Sequence, residues 1–144
     1  MNKENFPEWR QKLKSSQQKE GKSSSSRWIQ LSTINADNEP SIRTVVFRGW
    51  LDSTSMLIFT DSRSQKIKDL NGNSNVEILW LFVKSKSQFR FKGKTFLIDD
   101  DSVYWSNLSN KSKSTWFWPN PGTKLIEDIV PTQNNEYQNK PNNF

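Results

Sequence analysis

The chain has 144 residues, with Cys 0, His 0, 21 Lys+Arg against 15 Asp+Glu and a formal net charge of +6. That length suits one domain able to bury a core without disulfides or structural metal. The missing Cys and His exclude Ser-His-Asp and Cys-His nucleophile systems, thiolate or imidazole zinc sites and any disulfide framework, leaving carboxylate chemistry, Lys or Arg electrostatics or a carried cofactor.

The excess of positive charge suits an anionic partner such as nucleic acid, a membrane surface or a phosphorylated small molecule. No stretch approaches the roughly 18 apolar residues of a spanning helix, and the start, MNKENFPEWRQKLK, lacks the apolar centre of a signal peptide. A soluble, cytoplasmic protein is expected. Hydrophobic residues make up only 32% of the chain, but Trp 7 and Phe 9 are enough for a modest core, since each buried aromatic removes roughly 150–250 Å² from water.

Residues 5–15 (NFPEWRQKLKS) read as a short helix, with Pro7 at an early position and Trp9 and Leu13 four apart. Residues 16–26 (SQQKEGKSSSS) have no apolar period and are expected to form a flexible connection. From Arg27 the pattern turns to strands. Ile29, Leu31 and Thr33 alternate with Trp28, Gln30 and Ser32, ADNEP supplies a turn, residues 41–51 pair back, and MLIFT (56–60) follows a polar turn.

Residues 61–73 carry Ile67 and Leu70 at helical spacing and stop at Asn71-Gly72. Strands return at 75–83 and 87–99, the second alternating Phe89 and Phe91 with Arg90 and Lys92. Residues 100–118 open on acids and read as one helix, and the stretch from 123 is polar. The expectation is a domain over 1–122 and an irregular tail over 123–144. Its fold is mainly β with peripheral helices, five strands forming an antiparallel sheet curled into a barrel; a flat sheet with helices on one face is the alternative.

Candidate chemistry concentrates in residues 43–48 (RTVVFR) and 59–66 (FTDSRSQK). Arg43 and Arg48 interrupt a strand of Val and Phe, where an unpartnered buried charge is expensive and a nearby anion would account for it. The second segment offers Thr60, Ser62, Ser64, Arg63, Lys66 and a helix N-terminus, the ingredients of a phosphate cradle. A solvated strand edge beside a capped surface helix accounts for the same spacing equally well.

These residues resemble the pyridoxamine 5′-phosphate oxidase-like FMN-binding split barrels, in particular a branch of short flavin-binding homologues. The resemblance rests on RTVVFRG (43–49), IFTDSRSQKI (58–67), KSKSQFRFKG (84–93), WSNLS (105–109) and FWPNPG (117–122), and extends to RWIQLSTI (27–34). It implies a split β-barrel, possessing or lacking the family's last strand, and a homodimer with FMN at the interface. Arg43, Ser64 and Lys66 would hold the FMN phosphate, with Arg63 as an extra contact in this branch. Main-chain groups of Thr44, Val45 and Val46 would approach the ring, Phe59 and Thr60 would line the phosphate side, and Gln88 would lie beside the flavin.

Arg48 stands at the family's substrate-binding Lys and would meet a small substrate, with a phosphorylated one as an option. The family's downstream Tyr, Arg and Ser for that phosphate have no counterparts here, the positions falling on Asn107, Leu108 and Ser109, and Gln65 stands where Arg is frequent. A flavin-dependent oxidoreductase is the leading expectation. A flavin-binding module without turnover is the second, and a small basic β-barrel binding single-stranded nucleic acid through Phe89-Arg90-Phe91-Lys92 the third. No catalytic residue and no metal site are assigned: Asp99, Asp100 and Asp101 read as a helix start. Trp105, Trp116 and Trp118 are expected to pack a helix on the barrel, and Trp80 and Phe82 to belong to the core or a dimer interface.

Overall fold

Alternation of apolar side chains along successive segments produces one sheet in the computed structural model, which describes residues 6–98, 101–123 and 139–144. Five antiparallel strands stand in the order β3-β2-β1-β4-β5: β1 (Trp28–Ile34), β2 (Pro40–Trp50), β3 (Met56–Ile58), β4 (Asn75–Phe82) and β5 (Ser87–Lys94). The sheet curls into the half-barrel of a split-barrel fold, as expected. Helix α2 (Gln65–Gly72) is inserted between β3 and β4, and α1 (Glu8–Glu20) precedes the sheet.

The strand period of two decides which side chains are buried. Ile29 and Leu31 of β1, Val45 and Phe47 of β2, and Ile78, Trp80 and Phe82 of β4 point inward and pack with Leu13 of α1. Trp80 and Phe82 are therefore core residues, both fully buried. Phe89 and Phe91 pack against the same cluster, while Arg90 pairs with Glu77 across the β4–β5 register on the other face.

Several boundaries differ from expectation: β3 ends at Ile58 rather than at residue 60, α2 begins at Gln65 rather than near residue 61, and β5 ends at Lys94 rather than at residue 99. Residues 16–26 are not a loose connection, because α1 continues to Glu20 and Ser24–Ser26 forms a 3-10 turn. The helix extends because Ser16 and Glu20 share a face with Leu13 and are buried with it, and because Gly21 at φ +64° closes it in a conformation that suits glycine. The serines are fixed by one distant partner and one from α1: Ser25 O accepts Trp80 Nε1 at 3.1 Å, and Ser26 O accepts Gln17 Nε2 at 2.8 Å.

The expected helix over 100–118 is instead α3 (Ser102–Ser106) and α4 (Asn110–Ser114), followed by a 3-10 turn at Thr115–Phe117. Ser109 starts a new helix there, its hydroxyl accepting Ser112 N. Asp99, Asp100 and most of the expected tail lie outside the described residues. Residues 139–144 carry no helix or strand, and Phe144 sits edge-on to Phe59, Trp105 and Trp116. No helix among the described residues is long and apolar enough to cross a membrane.

Candidate functional site

The chain leaves β3 at Ile58 and reaches α2 through residues 59–64, a loop whose shape is set by its own polar groups. Asp61 Oδ1 accepts Arg63 N at 2.8 Å, Asp61 O accepts Ser64 N at 3.0 Å, and Ser64 O accepts Ile67 N at 3.1 Å. Arg63 folds back on this turn. It pairs with Asp61 at 2.7 Å and donates to Asn120 Oδ1 and Trp118 O, tying the loop to the segment after α4. From the other side, Asn143 Nδ2 donates to Asp61 Oδ2 at 2.8 Å, and Asn143 O accepts Ser62 N at 2.9 Å. Burial acts to raise the Asp61 carboxyl, but hydrogen bonds from Arg63 and Asn143 outweigh it and hold it below the usual carboxylate range.

Ser64 is the N-cap residue of α2, yet its side chain does not cap the helix. The buried hydroxyl is turned to Lys66, whose Nζ lies 3.0 Å away, and to Thr60 Oγ1 at 3.5 Å. An α-helix leaves its first amide groups unsatisfied and partly positive. Half-buried Lys66 makes no ion pair among the described residues. Its pKa is lowered by burial first and by the Arg43 charge second. Thr60, Ser64 and Lys66 therefore converge as two hydroxyls and a cation at a helix N-terminus, a donor set that matches a phosphate monoester. Thr60, Ser62 and Lys66 also border a cleft of about 680 Å³ on the inward face of the sheet, lined by apolar side chains such as Ile67, Ile78 and Phe91.

Arg43 points the same way as Val45 and Phe47 and meets α2. Its Nη1 lies 2.6 Å from Thr33 Oγ1 and 3.1 Å from Ser41 O, and its Nη2 lies 3.3 Å from Asp69 Oδ2. The anion that makes a charge tolerable inside this strand is thus a side chain of the protein itself. Asp69 also accepts Thr33 Oγ1 and Gln65 Nε2. Burial works against its charge, but the hydrogen bonds from Thr33 and Gln65 and the charge of Arg43 hold its pKa below the usual range.

The main chain of β2 offers a second set of groups. Phe47 N donates to Arg27 O on the β1 side, so by strand alternation the N–H and C=O groups of Thr44 and Val46 are directed away from β1. On that side β3 pairs with β2 only at Phe47, Gly49 and Trp50, which leaves the Thr44–Val46 edge uncovered by any described strand. The Val45 side chain is buried in the core.

Arg48 is exposed, with its guanidinium 5.5 Å from the centroid of Phe59 and no ion pair among the described residues. Partial burial and the neighbouring charge of Arg27 both lower its pKa. Phe59 itself packs against Tyr104 and Phe144.

The structure brings Thr60, Ser64 and Lys66 together, with Arg43 close enough to perturb Lys66, and sets Thr44 and Val46 on the adjoining edge. It does not bring Gln88 to them. Gln88 lies on β5, three strands from β2, roughly 14 Å at about 4.8 Å per strand. Arg63 is engaged in bracing the loop. Sequence reasoning did not reach Thr33, Asp69 or Asn143. The i,i+4 spacing of Gln65 and Asp69 was the one available signal for Asp69, and nothing local marks the other two. The described residues hold no group of three or more potential metal-ligating carboxylates. Phe89 and Phe91 are partly buried against the core, on the face opposite Arg90 and Lys92.

A family model described as the pyridoxamine 5′-phosphate oxidase FMN-binding domain matches residues 6–99. A pyridoxine/pyridoxamine 5′-phosphate oxidase 2 of Arabidopsis thaliana is 34% identical over 125 residues, covering 86% of this chain and 62% of that protein. A pyridoxine/pyridoxamine 5′-phosphate oxidase of Psychrobacter cryohalolentis is 37% identical over 106 residues, covering 71% of this chain and 49% of that protein. The chain spans about half to three-fifths of the length of these two curated relatives. Among solved structures, a pyridoxamine 5′-phosphate oxidase-related FMN-binding protein of Nostoc punctiforme superposes with a TM-score of 0.75 at 30% identity, covering 84% of this chain and 69% of that one.

Proposed function

We propose that this chain, which belongs to the pyridoxamine 5′-phosphate oxidase FMN-binding-domain family, binds FMN and acts as a flavin-dependent oxidoreductase on a small anionic substrate. The observation that carries the reading is the cluster of Thr60, Ser64 and Lys66 at the uncapped start of α2. A half-buried ammonium that makes no ion pair among the described residues, two hydroxyls and the first-turn amides of a helix fit a phosphate dianion in charge, size and donor count.

In this reading Lys66, Ser64 and Thr60 hold the phosphate, and Arg43 adds charge from the β2 side. The main-chain groups of Thr44 and Val46 orient the polar edge of the flavin ring, with Val45 anchoring the strand behind them. Arg63 and Asn143 act on the cofactor only by fixing the 59–64 loop. The bound flavin would supply hydride chemistry that a chain without Cys or His cannot provide from its own side chains.

Arg48 is the group we assign to the substrate. Its guanidinium is already partly desolvated against Phe59, and Arg27 adds a second positive charge, so a substrate carrying a phosphate or carboxylate satisfies both. Gln88 joins the site only from a second copy. The outward sheet face exposes Trp28, Ile42 and Leu81, an apolar surface suited to the homodimer that the family resemblance implies.

The test is the visible spectrum of the purified protein, with identification of the flavin released on denaturation. A flavin band with FMN released supports the reading, and substrate-dependent bleaching of that band supports turnover. Bound FMN that no small phosphorylated or carboxylated donor reduces favours a flavin-carrying module. Colourless protein whose melting temperature is unmoved by added FMN refutes the cradle.

A further inference from the structure

We propose that Asp69 is a positioning residue for the phosphate cradle, holding Arg43 at a fixed distance from the start of α2 and thereby setting the preference for a phosphorylated over a dephosphorylated flavin. This rests on the FMN-binding reading above and deepens it.

Asp69 lies in the second turn of α2 with its side chain 1% exposed. Each hydrogen bond of its carboxylate reaches a different element or turn. Oδ1 accepts Gln65 Nε2 at 3.1 Å from the first turn of the helix. Oδ2 accepts Thr33 Oγ1 at 2.8 Å from β1 and Arg43 Nη2 at 3.3 Å from β2. The Thr33 hydroxyl is used twice, donating to Asp69 and accepting Arg43 Nη1 at 2.6 Å. One carboxylate thus fastens two strands to the helix whose N-terminus carries Ser64 and Lys66.

Charge makes this fastening necessary. Arg43 and Lys66 are like charges on facing elements and repel each other; burial does most to lower the pKa of Lys66 and the Arg43 charge adds to it. Without a buried anion between β2 and α2, the guanidinium would move out toward solvent, where long cationic side chains keep their hydration. Asp69 offsets the repulsion and leaves Arg43 pre-oriented. The carbonyls of Leu31 and Ser41, the Thr33 hydroxyl and Asp69 engage its two terminal nitrogens. Its Nε–H and the remaining Nη2 proton have fixed directions for a ligand, because the guanidinium fork is planar. Preorganised donors recognise an anion without a reorganisation cost at binding.

The opposite hypothesis is that Asp69 is a rival of the phosphate for Arg43, and the two differ in sign. The experiment measures dissociation constants of FMN and riboflavin for the full chain, the two ligands differing only in the phosphate. Asp69→Asn keeps the shape while removing the charge. The expected result is an FMN-to-riboflavin preference reduced by about tenfold or more, the scale of a charged hydrogen bond, with riboflavin affinity changed less than about twofold.

In an Arg43→Met background the same substitution should leave the preference unchanged, because Asp69 acts through Arg43. Should Asp69→Asn not fold, as judged by loss of a cooperative melt, Gln65→Met removes one exposed anchor of the carboxylate and is expected to lower the preference by a smaller factor. Tighter FMN binding in Asp69→Asn, an unchanged preference, or equal weakening of both ligands overturns the proposal while leaving the FMN reading intact. Wild-type protein that binds FMN no better than riboflavin overturns both.

Discussion

Replacing Lys66 by Met separates the ligand's need for the ammonium from the fold's. The side chain is half-buried, its Nζ is 3.0 Å from Ser64 Oγ, and it borders an apolar cleft that a thioether suits. A hydrogen bond to a charged group contributes about 1.5–3 kcal/mol. At about 1.4 kcal/mol per factor of ten, FMN should bind roughly 10–150-fold more weakly, with the lower half of that span expected at about 0.15 M salt because the site is partly solvated.

Riboflavin should be nearly unaffected. The flavin-free protein should respond in the opposite sense. Burial and Arg43 depress the pKa of Lys66, so its charged form costs the folded state stability at neutral pH, and the variant should melt at the same temperature or higher. Fluorescence titration with both flavins and a thermal melt without ligand make the comparison. Equal loss of both flavins, undiminished FMN binding or a lower melting temperature would each refute the reasoning.

Glu20→Ala removes a fully buried carboxylate that accepts Lys84 N at 2.6 Å and Ser25 Oγ at 2.7 Å. A buried group left unsatisfied costs about 1–3 kcal/mol, a fall of roughly 3–10 °C for a chain of this size, measurable by calorimetry; an unchanged melt would mean that water replaces the contact. The preference for FMN over riboflavin should decline as pH rises through the depressed pKa of Lys66, below the ordinary lysine range, because phosphate binding needs the protonated amine; Lys66→Met should abolish that slope. Trp28→Glu places a charge on the exposed apolar face and should yield a monomer with weakened FMN binding by light scattering and titration, whereas wild-type protein that is monomeric and fully FMN-loaded would remove the dimer from the reading.

The sheet was legible because each strand announces its buried face by a period of two, as Ile29, Leu31 and Thr33 do. The candidate chemistry of residues 59–66 was legible for a different reason, its hydroxyls and cations lying close together in sequence, although the loop itself was not, residues 56–60 reading as strand and 61–73 as helix. What escaped was nonlocal. Residues 16–26 look like a linker until Trp80, 55 positions from Ser25, supplies the donor that fixes them. Arg43 looks like a cation awaiting a ligand until Asp69, 26 positions away, provides a carboxylate. The family resemblance makes Arg63 an extra phosphate contact, whereas its partners in the fold are Asp61, Trp118 and Asn120, two of them more than fifty positions away. Composition cannot show which of several cations a carboxylate will choose.

The mismatch between β2, eleven residues long, and β3, three, bears on how the protein behaves in the tube. An unpaired strand edge is a template on which another chain can add a strand, and natural sheets guard such edges with proline or charge. Here Pro40 and Arg43 guard only part of it, and Ile42 stands exposed beside them. Concentrated preparations should therefore turn turbid on warming sooner without FMN than with it if the flavin covers the β2 edge as proposed, and an equal onset would count against that placement.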